Sequence, residues 1–125
     1  MKKFFRCQHC GNIVEMVHES GVPVVCCGEP MIELVPNTTD AALEKHVPVV
    51  AVNGKEVVVN VGEVLHPMIP EHHIEVIILE TTLGSQKKYL DPAGKPVAKF
   101  ALLDGEQVVA AYEYCNLHGF WKYAL

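Results

Sequence analysis

Four of the five cysteines fall in one short stretch, Cys7-Gln8-His9-Cys10 followed after fifteen residues by the adjacent pair Cys26-Cys27. From Met1 to Pro36 the chain otherwise offers short strand-like runs, the turn formers Gly11, Gly21 and Gly28, and little apolar bulk. So small a segment cannot hold itself together by burial alone. A tetrathiolate metal site supplies the missing staple, because metal-binding energy becomes folding energy. The spacing is close to the common four-cysteine pattern, with one departure. Successive residues point in different directions, so bringing the sulfurs of Cys26 and Cys27 to one ion demands a distorted backbone. Tetrahedral sulfur suits zinc and iron alike. His9 and His18 read as solvated loop residues.

The cysteines also bear on compartment. The basic start, Met1-Lys2-Lys3-Phe4-Phe5-Arg6, has no apolar run of secretory length behind it, so no export signal is expected. In a reducing cytosol a close-spaced set of thiols binds metal rather than forming disulfides, and an odd count of five argues the same way. A formal net charge of −5 with no lysine or arginine cluster excludes a nucleic-acid binder. No segment approaches membrane-spanning length. A hydrophobic fraction of 50%, rich in valine, fits a soluble, cytoplasmic β-rich protein with a packed core.

Beyond the first module, Asn37-Thr38-Thr39-Asp40 reads as a polar linker, with Asp40 or Thr39 capping a short helical turn through Ala41-Ala42-Leu43. From His46 onward the pattern is β. Val47 to Val52 and Lys55 to Val61 flank Asn53-Gly54, a strong hairpin signal. His72 to Thr82 is a further strand. Val97 to Leu103 and Glu106 to Tyr114 flank Asp104-Gly105, a second hairpin by the same reasoning. Short strands at this spacing predict an antiparallel, immunoglobulin-like β-sandwich. The chain divides into a stapled N-terminal domain over 1–36 and a sandwich over 37–125. Gly119-Phe120-Trp121-Lys122-Tyr123 is expected to pack aromatic side chains beside the second cluster of chemistry-bearing residues.

That cluster is Cys115-Asn116-Leu117-His118, with His46, His66 and His72 at loop-to-strand junctions where one end of a sandwich can gather them. His72 and His73 cannot both point inward from a regular strand. Periodicity does not choose between them, since Ile74, Val76 and Ile78 share the face of His72 while Glu75, Ile77 and Leu79 share that of His73. Four imidazoles and a thiolate leave a sixth position vacant on an octahedral ion, which suits iron better than four-coordinate zinc. A thiolate opposite an open position pushes electron density onto iron. Blue copper is the competitor, but it wants an axial methionine soon after the histidine, and Gly119 to Leu125 contains none.

These motifs, with Cys26-Cys27-Gly28-Glu29-Pro30-Met31, Glu44-Lys45-His46-Val47-Pro48, His66-Pro67-Met68 and Glu71-His72, resemble desulfoferrodoxin, the two-iron form of superoxide reductase, over the full length of the chain. The resemblance implies two iron ions per chain. Cys7, Cys10, Cys26 and Cys27 would hold a rubredoxin-like iron in a desulforedoxin-like domain. His46, His66, His72 and His118 would be equatorial ligands of the catalytic iron, with Cys115 axial. The match selects His72. It also leaves His73 and Val76 where aromatic residues are common, without removing a ligand.

The implied reaction is one-electron reduction of superoxide by ferrous iron, with two protons taken up and hydrogen peroxide released. Lys45 would draw the anion to the open face and order a water for protonation, and Glu44 would occupy the vacant position on ferric iron. Turnover would need an external donor, a rubredoxin or similar small redox protein, and the family is commonly a homodimer. The alternative is a non-enzymatic electron-transfer metalloprotein or a zinc-stabilised binding module.

Overall fold

Glycines and cysteines, more than apolar residues, shape the start of the chain. The computed structural model describes residues 3–125; Met1 and Lys2, which open the basic start, lie outside the described residues. The chain separates into two compact units, Met1–Val35 and Pro36–Leu125. In the first, β1 (Phe4–Arg6), β2 (Ile13–Glu15), β3 (Val25–Cys26), β4 (Glu29–Pro30) and β5 (Ile32–Glu33) are two or three residues long. β1 lies between β2 and β5, and β3 pairs with β4, all antiparallel. Among the unit's described residues only Phe4, Cys7 and Met31 are buried. Three side chains are too few for an independent core, so a staple is needed.

The second unit begins with a correction. The helix α1 occupies Leu43–His46 rather than 41–43, Ala42 stands at its N-cap, and no side chain caps it. Asp40 and Thr39 therefore do not act as caps. The supposed linker is tied down by Asn37, which sits at φ 63 and uses its side-chain amide as a strand would use a peptide group. Nδ2 donates to the Lys122 carbonyl at 3.0 Å and Oδ1 accepts from the Lys122 amide at 2.8 Å.

Seven strands follow: β6 (Pro48–Asn53), β7 (Glu56–Val61), β8 (Ile74–Thr81), β9 (Gly84–Tyr89), β10 (Val97–Ala101), β11 (Val108–Cys115) and β12 (Gly119–Ala124). They form two antiparallel sheets, β10-β7-β6 and β12-β11-β8-β9, the immunoglobulin-like sandwich expected. Val57, Val59 and Val61 alternate inward from β7 with no exposure and meet Ile74, Ile77, Leu79, Ala111 and Cys115 of the other sheet, with Phe100 and Leu102 closing the layer. Each fully buried aliphatic side chain contributes roughly 1.5–3 kcal/mol.

Two further expectations change. Asn53 pairs with Glu56, so the first hairpin turns on Gly54-Lys55, with Gly54 alone taking positive φ, 63°. Asp104-Gly105 is a turn but not a hairpin: β10 pairs with β7, whereas β11 pairs with β8 and β12. The chain crosses there between sheets, and Glu106 secures the crossing by accepting from the Leu103 amide and the Thr81 hydroxyl. β9, a sheet edge with no buried residue, carries no alternating apolar signal. β8 is regular only from Val76 on: Tyr114 pairs with Val76 and Cys115 with Ile74, so Glu75 is an extra, bulged residue. The bulge puts both Ile74 and Ile77 in the core and breaks the period of two.

Candidate metal centres

In the first unit the peptide turn Cys7–Cys10 directs two backbone amides at one sulfur: His9 N and Cys10 N both donate to Cys7 Sγ at 3.4 Å. Cys10 Sγ lies 3.6 Å from Cys26 Sγ, and Asn12 Nδ2 donates to Cys26 Sγ at 3.8 Å. The distortion demanded by the adjacent cysteines is present: Cys27 adopts φ 54, followed by Gly28 at φ 78. All four sulfurs lie within 4.8 Å of one another. The two amides, from Cys10 and then His9, bring the Cys7 thiol down to about 6. Hydrogen bonding to the neighbouring cysteines, Cys7 first, pushes Cys27 up to about 12. Four sulfurs this close cannot all ionise without a cation between them, so the set fits a tetrathiolate metal.

The second centre repeats the same turn. β11 and β12 are joined by Asn116-Leu117-His118, with Cys115 paired to Gly119 at φ 80, a three-residue hairpin loop with its left-handed glycine. His118 N donates to Cys115 Sγ at 3.4 Å, as Cys10 N does to Cys7, and Gly11 at φ 81 matches Gly119. Around this loop stand His46 at the end of α1, His66 after the 62–65 turn, and His72 ahead of β8.

The four rings form a cycle. His46–His66, His66–His72, His72–His118 and His118–His46 centroids are 4.7, 4.6, 5.0 and 4.9 Å apart, each pair nearly perpendicular, while His46 and His72 face each other across 6.5 Å. His46 Nε2 is 3.1 Å from His118 Nδ1 and 3.2 Å from His66 Nε2, and Cys115 Sγ is 3.3 Å from His66 Nε2. The five donor atoms lie within 4.8 Å of one another, and His72 Nε2 is buried without a hydrogen-bond partner. His46, His66 and Cys115 are buried; His72 and His118 are half-buried and mark the side nearest solvent. Inward lone pairs, an orphaned buried nitrogen and a sulfur at one point are what a five-ligand metal site requires.

The protonation states suit that use. Burial lowers His46 and His72 below the usual imidazole range and takes His66 to about 4, so all three are neutral donors at neutral pH. Burial raises the Cys115 thiol, which only a bound cation would ionise. His46 and His66 are held by their outer nitrogens, Nδ1 to the Ala42 carbonyl and to the Pro67 carbonyl, both at 2.7 Å. Such bonds fix tautomer and ring orientation. Glu44 and Lys45 sit exposed on α1 beside His46, and the positive charge of Lys45 is among the smaller causes lowering His46 and His72. His73 turns away and its Nδ1 meets the Ile69 and Pro70 carbonyls at 3.2 and 3.1 Å.

The aromatic C-terminal run does pack beside the centre, through Trp121. Fully buried, it stacks on His46 with centroids 4.8 Å apart and donates Nε1–H to the His118 carbonyl at 3.1 Å. Glu113 escaped the sequence reading. It is fully buried two residues before Cys115, both carboxylate oxygens lack a hydrogen-bond partner, and burial holds its pKa well above the usual carboxylate range. An alternating strand gives no warning of such a residue.

Fold and sites together define a two-centre β-rich metalloprotein, one centre all thiolate, the other four imidazoles and a thiolate. The family model for desulfoferrodoxin matches residues 38–124, and that for the desulfoferrodoxin N-terminal domain matches residues 1–34. The desulfoferrodoxin of Nitratidesulfovibrio vulgaris is 48% identical over 120 residues, covering 96% of this chain and 94% of that one. The crystal structure of the superoxide reductase from Treponema pallidum superposes with a TM-score of 0.83 at 44% identity, covering 98% of each chain. A one-iron superoxide reductase from Giardia intestinalis covers 66% of this chain and 97% of its own, with a TM-score of 0.56 at 33% identity. The chain belongs to the desulfoferrodoxin family.

Proposed function

We propose that this protein is a superoxide reductase, carrying out one-electron reduction of superoxide with uptake of two protons to give hydrogen peroxide. The observation that carries the reading is the ring of four imidazoles with Cys115 as fifth donor. His46, His66, His72, His118 and Cys115 would hold the catalytic iron, and Cys7, Cys10, Cys26 and Cys27 the other. When bound, ferrous iron at the first of these sets supplies the electron.

The chain's own residues do the rest. The carbonyl anchors on His46 and His66 keep their lone pairs aimed inward at no cost of reorganisation. Burial of Cys115 keeps water from its sulfur. Lys45, on the exposed turn beside His46, draws a small anion toward the site against the protein's overall negative charge and orients a water as proton source. Glu44, its neighbour, is an exposed carboxylate that would serve as a hard oxygen donor to ferric iron.

The electron is replenished by an external donor, a rubredoxin or similar small redox protein, and the tetrathiolate iron takes part in electron transport. The division into a 1–36 tetracysteine domain and a 37–125 sandwich, a homodimeric assembly and a cytoplasmic location complete the proposal. All five cysteines are free, and among the described residues no helix is long and apolar enough to cross a membrane. The test is superoxide consumption without oxygen evolution by the iron-loaded protein. Cys115→Ser and His118→Ala are expected to abolish it while the tetrathiolate colour persists; undiminished reduction in either variant would overturn the reading.

A further inference from the structure

Unlike His46 and His66, His72 has no hydrogen bond among the described residues that anchors its ring from outside. His46 and His66 are fixed through Nδ1, and His118 is fixed on both sides of its α-carbon, by its amide on Cys115 Sγ and by Trp121 on its carbonyl. The His72 ring makes no comparable hydrogen bond among the described residues, although its Nε2 is buried and faces the other donors. Its aim therefore depends on its backbone. Ile69 and His72 exchange backbone hydrogen bonds of 3.1 and 3.0 Å, but those close the 69–72 loop on itself and do not tie it to the strand that bears Cys115.

The tie is made by Asn116. Its amide donates to the His73 carbonyl at 3.2 Å, the last backbone rung before β11 turns away. The side chain then continues the ladder where the backbone cannot: the His73 amide donates to Oδ1 at 2.8 Å, and Nδ2 donates to the Glu71 carbonyl at 3.0 Å. These bonds grip the chain on both sides of His72, just beyond the last paired residues of the ladder, Ile74 and Cys115. One planar amide that both donates and accepts is required, since an aspartate has no donor for Glu71 and an alanine has neither.

We infer that Asn116 is a positioning residue for the second centre: by clasping Glu71 and His73 it aims His72 at the point shared with Cys115 and His118. This rests on reading the five residues as one metal site, not on the substrate. Asn116→Ala is expected to keep the fold, because Glu71 is exposed and His73 and Asn116 are only half-buried, and a mispositioned outer partner of a metal ligand typically weakens binding about 10- to 100-fold.

The experiment is competition of the full-length protein with a chelator for Co2+, read from its visible bands, for wild type, Asn116→Ala, Asn116→Asp, His72→Ala and the double variant Asn116→Ala/His72→Ala. Asn116→Ala is expected to weaken the second centre about 10- to 100-fold with altered band intensities, Asn116→Asp to recover part of the loss through its remaining acceptor, and the first centre to be unaffected. In the His72→Ala background, removing Asn116 should cost less than about twofold more, because the two act through one ligand. Wild-type affinity in Asn116→Ala, or an equal loss with and without His72, would overturn the assignment. If His72→Ala itself binds like wild type, the five-ligand reading fails and the assignment falls with it; neither outcome depends on superoxide reduction.

Discussion

Acidifying the metal-free protein should unfold its second unit, and His66 supplies a calculable share of the effect. In an unfolded chain the imidazole titrates near 6.5; buried against the core it is held down to about 4. Between those values the unfolded chain binds a proton that the folded chain refuses, so stability falls as pH falls through the window and levels off below about 4. The full linkage for a 2.5-unit gap is roughly 3.4 kcal/mol, of which roughly 2.5 is already lost at about pH 4.5. For a unit of this size that is roughly 10–20 °C in Tm.

His46 and His72 act with the same sign, being lowered as well. Glu113 acts with the opposite sign, because its raised pKa makes the folded state the better proton binder above the usual carboxylate range. His66→Gln isolates the imidazole from both. The assay is thermal unfolding of the apoprotein followed by the near-ultraviolet signal of Trp121, which lies in the second unit, near pH 7 and near pH 4.5. Wild type should lose roughly 10–20 °C more than His66→Gln across that interval. Equal losses in the two proteins would refute the claim that His66 is held neutral by burial.

Trp121 is the chain's one tryptophan and stacks on His46, so loading the second centre with Fe2+ or Co2+ should quench its emission, and Cys7→Ser should leave that quenching intact. A Cβ added at Gly62 would meet the Glu44 carbonyl at 2.7 Å and the Val47 carbonyl at 2.9 Å, both backbone atoms beside His46. Gly62→Ala should thus cost roughly 1–3 kcal/mol in denaturant unfolding and lower metal occupancy of the second centre but not the first. Lys45→Ala should slow the bimolecular reaction with superoxide roughly three- to tenfold at low ionic strength and flatten its salt dependence, as pulse radiolysis can show. An unchanged low-salt rate would remove Lys45 from the mechanism.

Of the nine residues brought into two clusters, Cys7, Cys10, Cys26, Cys27, Cys115 and His118 were legible from cysteine spacing and a cysteine-histidine turn, whereas His46, His66 and His72 stood out only by their loop-to-strand positions and by the family resemblance. Cys7-x-x-Cys10-Gly and Cys115-x-x-His118-Gly are one local turn used twice, and the glycine after each ligand pair betrays it. Their supports were not legible. The carbonyls of Ala42 and Pro67 belong to the backbone, which every residue has, and no residue type announces that its carbonyl will receive an imidazole N–H. The choice between His72 and His73 was hidden by the bulge at Glu75, which makes a regular alternation the wrong ruler for that strand. Asp104-Gly105 misled because a tight turn looks the same whether it joins neighbours in one sheet or crosses between two; only the pairing of β10 with β7 distinguishes them.

The two centres differ in how much chain they need. The tetrathiolate draws on residues 7 to 27, whereas the imidazole ring closes only when His118 has joined His46, after every strand between them has found its place. During synthesis the first centre is chemically complete ninety-one residues before the second, a lead of roughly 5–20 s at ordinary translation rates. The four thiols of the first centre are thus all present while most of the sandwich has yet to be made. The imidazole ring is complete only in the folded unit, where the rings of His46 and His66 are held by backbone carbonyls. The two ligand sets of one polypeptide are therefore completed at different stages, the first early in synthesis and the second only with the folded sandwich.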